Sequence, residues 1–329
     1  MRITLDPWGS DYTSQFTVAQ EEDGNENFAQ ALEEPIEDRP WAPILPCPTT
    51  LPKTTAVVDG VMRTDASAII MDGNRRALAL FSSYAAGAVV INSQVQIAHD
   101  RIQRLFLAGG NWSEIEDLAI TAGTSGTIFY QGMSCKADTY ELLREALRTE
   151  MRQAEAQVAE ALSEEDHLVL ADGNLTSLRK SSSVVGVIKT IHRMYLSPPK
   201  TVILERLQPG ERTPIFQVVS GRQNDGYSVF TSYLRLALPQ PTELPFAGLV
   251  RLEAKASLGP RRAIELLDQA AVKVCALASR APKDPRAPQN LIPIGGLERH
   301  LRHRLGDSQL LLRGIKQKIR AMLEQTAPV

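Results

Sequence analysis

At 329 residues, 43% apolar and 22% charged with a net charge of −2, the chain can bury one large core or two modest ones. It has no overall field that would by itself draw nucleic acid or an acidic membrane. Its three cysteines, Cys47, Cys135 and Cys275, are scattered without CxxC spacing, which points to reduced thiols rather than a disulfide frame or zinc knuckle. The opening MRITLDPWGSDYTSQF lacks the apolar run of an export signal, and no stretch is long and apolar enough for a membrane span, so a cytoplasmic, membrane-free protein is expected.

Charge is unevenly distributed. Residues 1–39 carry ten acids against two bases, and residues 251–329 carry fifteen bases against seven acids. An acidic arm can occupy a basic groove and a basic third can track phosphates; solvated faces plus a loose tail would give the same pattern. Residues 1–52 read as an acidic, proline-rich arm that packs only if something receives Trp41 and Ile44. Residues 53–329 read as the folded domain.

In chain order, AVVDGVM, ASAIIM and RRALALF predict three antiparallel strands between Ala56 and Phe81, with Asp72-Gly73-Asn74 as the hairpin turn between the last two. AAGAVVIN and TSGTIFY predict extensions of that sheet. Leu143, Leu147, Met151, Val158 and Leu162 recur at helical spacing and predict a helix from Thr139 to Ser163. HLVLADG predicts a buried strand, and SVVGVIKTIHRMYL a helical or mixed segment. TPIFQVV, YSVFTSYLRLAL and GLVRLEAKA predict strands. Helices are predicted over Pro260–Ala281, Leu291–Leu305 and Ser308–Gln325.

Two carboxylates stand out. An isolated Asp-Gly is usually a turn, and Asp72 fits that description. Asp59 and Asp172 differ because each ends or interrupts an apolar run on what should be a central strand, where an unpaired carboxylate is costly without a cation or donors. A third acid would come from the helix. Glu155 lies about 60° from the centre of its apolar stripe and Glu150 about 80° on the other edge, so either reaches a site beside the sheet. Oxygen ligands of this kind suit hard divalent cations, and a pair of such ions activates water against a phosphodiester.

The segments VVDGV (57–61), MRQAEAQVA (151–159), LVLADGNL (168–175), GVIKT (186–190) and LIPIGGLERHLRHRLGD (291–307) together resemble the NurA nucleases. The likeness runs over most of the chain from Ala56 onward and lies in the order and spacing of the five segments, none of which is specific alone. It implies an α/β fold: a ribonuclease-H-like mixed sheet flanked by helices, with extra C-terminal helices. It also implies a metal-dependent DNA nuclease, a 5′ to 3′ exonuclease and single-strand endonuclease that resects ends in double-strand break repair. Mn²⁺ or Mg²⁺ is the implied cofactor. Single-stranded DNA and duplex ends, a HerA-like hexameric ATPase and a second copy of the chain are the implied partners. By the same resemblance Asp59, Glu155 and Asp172 fall on the metal-binding acids, with Glu155 favoured over Glu150 by its MR-x-x-E-x-x-x-A context. His300 falls on a histidine that ligates metal or contacts the scissile phosphate, and Lys189 on a lysine near that phosphate. Tyr233, with Arg251, resembles a position near the site, and His303 reads as a face neighbour. Val61 departs from the family, which often has a small hydroxyl residue there, as does Arg299, where alanine is common. The rival expectations are a non-catalytic dimeric adaptor for the ATPase and a ribonuclease-H-like enzyme acting on RNA or a hybrid.

Overall fold

The structure, a computed structural model, describes residues 2–5, 29–121, 126–180, 183–191, 193–220, 227–239, 246–280 and 287–326. Residues 6–28 of the acidic arm lie outside them, as do Thr124 and Ser125 of TSGTIFY, His192 and Ala281. Strands β1 (Arg2–Leu5), β2 (Ala29–Leu32), β3 (Thr55–Asp72), β4 (Arg75–Ile91), β5 (Val95–Ala108), β6 (Leu118–Thr121) and β7 (Thr127–Ser134) precede helix α1 (Tyr140–Glu164). Strands β8 (Leu168–Asp172) and β9 (Val184–Ile188), short helix α2 (Val202–Arg206), and strands β10 (Phe216–Ser220), β11 (Ser228–Arg235) and β12 (Leu249–Lys255) follow. Helices α3 (Pro260–Leu277), α4 (Ile292–Arg304) and α5 (Ser308–Thr326) close the described chain.

One mixed sheet runs β2-β10-β11-β12-β9-β8-β3-β4-β5-β7-β6, with β1 paired to β3. At its centre β4 is antiparallel to β3 and β5, whereas β8 is parallel to β3 and β9 parallel to β8. Alternation along β3 sends Ala56 and Val58 to one face, where they pack with Leu143, Leu147 and Val158 of α1. Val57 and Val61 go to the other, Val57 toward α3 and Val61 against Leu297 and Leu301 of α4. Ile315 and Ile319 of α5 cover a third cluster around Phe81, Phe106 and Tyr130. No helix among the described residues is long and apolar enough to cross a membrane.

Three strand expectations need correction. AVVDGVM and ASAIIM form one strand, because the polar Arg63-Thr64-Asp65 between them is a β-bulge and not a turn. Asp65 is buried there and satisfied: it accepts from Arg63 Nε at 2.8 Å, from Tyr130 Oη at 3.0 Å and from Ser83 Oγ. RRALALF and AAGAVVIN likewise fuse into β4, so the region holds two long strands followed by β5, which the apolar pattern does not announce. Pairing of β4 with β5 shifts register between Ala86 and Ala88, and one extra residue exchanges the faces along the rest of the strand, breaking the alternation. SVVGVIKTIHRMYL contains strand β9 instead of a helix; buried on both faces, VVGVI has no periodicity to separate it from one. Asp72 and Arg75 close the β3–β4 hairpin around Gly73, whose φ of +56° suits glycine.

The described parts of the arm are built into the sheet. β1 and β2 pair with β3 and β10. Trp41 packs 6.2 Å from Phe216 and donates its indole N–H to the Lys200 carbonyl at 3.2 Å. Ile44 exchanges backbone hydrogen bonds with Arg212. The Arg212 guanidinium, fully buried, is bound by both Glu37 oxygens at 2.7 and 2.9 Å and by Asp268 at 2.7 Å. A paired and hydrogen-bonded charge of this kind is what burial demands.

Candidate active site

The central acids are placed by strand register. Pairing between β3 and β8 runs as far as Val58↔Ala171, so Asp59 and Asp172 occupy the next row of two adjacent parallel strands, about 4.8 Å apart. Each shares a face with apolar neighbours two residues back: Asp59 with Val57, and Asp172 with Leu170, both in the core under α3. Lys189 immediately follows β9 and, by the same alternation, lies on the face of Val187, which pairs with Asp172. Its ammonium donates to Asp172 Oδ2 at 2.6 Å and to Asn290 Oδ1 at 3.0 Å.

Glu155 arrives from the opposite face. It sits on α1, and a Cβ built on Gly60 would collide with its Oε1 and stand 3.0 Å from Met151 Cγ. Gly60 therefore serves close approach; its φ is not among the positive values of the chain. The side chain missing from β3 lets a helical carboxylate reach the edge where Asp59 and Asp172 stand.

Electrostatics tie the group together. Burial, then the charge of Asp172, push the Asp59 carboxyl up to about 7, against the Lys189 ammonium and the Gly60 N–H. Glu155 is held well above the usual carboxylate range by burial first, then by Asp59 and Asp172, with Arg152 and Lys189 opposing. Three acids thus stand together, with Lys189 and Arg152 the cations that oppose their shifts. Glu150, the other helical candidate, is felt at Tyr84 instead.

Helix α4 lies over this face. Asn290, just before it, is buried and holds Lys189. Glu298 on α4 adds a further unfavourable charge at Asp59 and pairs with Arg302 at 3.0 Å. His300 is placed at Asp100 of β5, its Nε2 3.2 Å from Oδ2, and not in the bonds that join the acids to Lys189. Tyr233 is fully buried in a separate cluster, stacked on Phe216 at 6.1 Å and accepting from the Tyr195 N–H at 3.1 Å. Arg251, its cross-strand partner, is buried against Glu253 at 3.0 Å. The structure therefore brings together Asp59, Glu155, Asp172 and Lys189, sets His300 to one side, and keeps Tyr233 in the core. Sequence reasoning missed Asn290, Glu298 and Asp100. Their only sequence signal is position: two flank the Pro293 helix start, and one stands in a strand whose pattern the bulge hides.

Hard oxygen donors whose charges repel one another make a set that Mn²⁺ or Mg²⁺ would suit. Among the described residues no three His, Cys, Asp or Glu side chains already stand as a metal cage. Lys189 holds one Asp172 oxygen, so a cation there would have to share or displace that contact. No protein-family model matches the sequence, and no curated protein matches it.

Proposed function

We propose that this chain is a divalent-metal-dependent deoxyribonuclease of the NurA type, built on a ribonuclease-H-like core. It would act in the cytoplasm on single-stranded DNA and duplex ends, as a homodimer working with a HerA-like hexameric ATPase. The observation that carries the reading is Asp59 and Asp172 side by side on parallel strands, with Glu155 reaching them over Gly60. Support also comes from the central order β5-β4-β3-β8-β9 with β4 alone reversed and α1 leading into β8, which is the arrangement expected of such a core.

Asp59, Glu155 and Asp172 would hold the cation, and their raised proton affinity reflects the repulsion it would relieve. A bound Mn²⁺ or Mg²⁺ supplies an activated water and stabilises the leaving oxygen of a phosphodiester. Lys189, released from Asp172, would neutralise phosphate charge. The basic surplus after residue 251 gives α3 to α5 the charge to follow a DNA backbone or dock on the motor. A second reading, a non-catalytic adaptor for the ATPase, is favoured by the Lys189–Asp172 contact at 2.6 Å, which occupies a carboxylate oxygen the nuclease would need.

Purified protein incubated with end-labelled duplex DNA and Mn²⁺ tests the reading. Cleavage that drops at least 1,000-fold in both Asp59→Ala and Asp172→Ala, on the scale known for removing essential catalytic groups, supports it. An inert wild type supports the adaptor. Equal digestion by wild type and variants marks a contaminant, and preference for RNA or a hybrid points to a ribonuclease.

A further inference from the structure

The bulge in β5 has a chemical use. Gly87 pairs with Asp59 across β3 and β4. On its other side the β4–β5 register slips, and His99 takes a φ of +56°, uncommon and mildly strained for a residue with a Cβ. His99 is tied down by Glu165 at 3.0 Å. The slip places Asp100 against Gly87, where an added Cβ would stand 3.3 Å from both the Asp100 Cα and Leu301 Cδ2 of α4. A glycine, a bulge and an unusual backbone angle together make room for one carboxylate under α4, and bulges commonly re-aim a side chain beside a site. Asp100 Oδ2 receives His300 Nε2 at 3.2 Å and Arg304 Nε at 3.1 Å. The carboxylate is held by two groups one turn apart on the same helix.

We propose that Asp100 is a positioning residue for His300. Its carboxylate accepts a hydrogen bond from Nε2–H, fixes the imidazole as the Nε2–H tautomer and leaves Nδ1 as the nitrogen offered to substrate. Asp100 stands two strand spacings from Asp59, roughly 10 Å, so His300 addresses a DNA phosphate beside the cation instead of completing its cage. What His300 acts on rests on the nuclease reading; its coupling to Asp100 does not.

Long-range ¹H–¹⁵N correlation of the imidazoles at pH 8, with His300 assigned by His300→Ala, reads the tautomer directly. The wild type should show Nε2–H for His300, and Asp100→Ala should shift it toward the mixture of a free imidazole. If Asp100→Ala does not fold, the isosteric Asp100→Asn should show a partial shift. An unchanged His300 tautomer in a folded Asp100 variant overturns the proposal. In the DNA cleavage assay, Asp100→Ala and His300→Ala should each lower kcat about 10- to 100-fold with KM little changed, and the double variant should lose no more than His300→Ala alone. Asp100→Glu should recover part of the loss. Losses that multiply in the double variant overturn the coupling. An inert wild type with the expected tautomer shift overturns the nuclease reading alone.

Discussion

Two regions of this molecule bury charge, and they do so in opposite ways. Around Arg212, opposite charges meet: Glu37 and Asp268 surround the guanidinium at 2.7 to 2.9 Å, and the Ile215 N–H adds a further donor to Glu37. Around Asp59, like charges crowd together from β3, α1 and β8, with Glu298 pressing from α4 and Lys189 and Arg152 giving partial relief. The first arrangement fastens residues 29–50 to β10 and α3 and asks for nothing more. The second leaves like charges together, and under the proposed function a cation would complete it. The difference separates a structural ion cluster from a candidate catalytic one without reference to sequence likeness.

The largest effect should come from breaking the Arg212 cluster. Glu37→Gln leaves the buried Arg212 half-paired, and a loss of about 3–5 kcal/mol is expected from denaturant unfolding, whereas the same change at Glu155 should stabilise the ion-free protein. A Glu155→Gln variant that unfolds as readily as Glu37→Gln would erase the contrast.

The next effect is on pH dependence. Asp59 titrates near 7 when folded and near 3.8 when unfolded, so the unfolded chain releases its proton first. Stability from this group is full below about pH 3.8 and lost as pH rises toward 7; the raised Glu155 acts in the same direction. Between pH 5.5 and 8 the ion-free protein should lose roughly 2 kcal/mol through Asp59. Thermal unfolding of Asp59→Asn should lack that share of the slope, and Mn²⁺ should stabilise the wild type most at pH 8. A slope identical in wild type and variant would show that Asp59 does not carry it.

These two sites also show what the amino-acid order discloses. Asp59 and Asp172 were visible because a carboxylate at the end of an apolar run is anomalous in any central strand. By periodicity alone Glu155 is one of two stripe-edge glutamates; the resemblance favours it by context, and the gap at Gly60 shows how it approaches. The Arg212 cluster was invisible, since its members are separated by 56 and 175 residues, two of them in polar loop sequence and Asp268 within a helix. The fold was legible where periodicity survived, as in α1 with its Thr139 cap. It was obscured where bulges at Asp65 and Asp100 reset the alternation, turning one strand into two on paper and hiding β5.

A smaller perturbation probes the gap itself. Gly60→Ala places a methyl against Glu155 Oε1 and Met151, and Mn²⁺ affinity by calorimetry should fall about tenfold, or ~1.4 kcal/mol. Unchanged affinity would mean that Glu155 takes no part in holding the ion. At the other end of α1, Thr139→Ala removes the side-chain cap to the Leu142 N–H. It should cost about 1 kcal/mol in denaturant unfolding and leave Mn²⁺ affinity alone.

The most direct test is anomalous scattering from crystals soaked in Mn²⁺ at pH 8. A cation peak within coordination distance of oxygens from both Asp59 and Asp172, with Lys189 withdrawn from Asp172, is the expected result. An undisturbed Lys189–Asp172 pair at saturating Mn²⁺, with no peak between the two aspartates, would contradict the account.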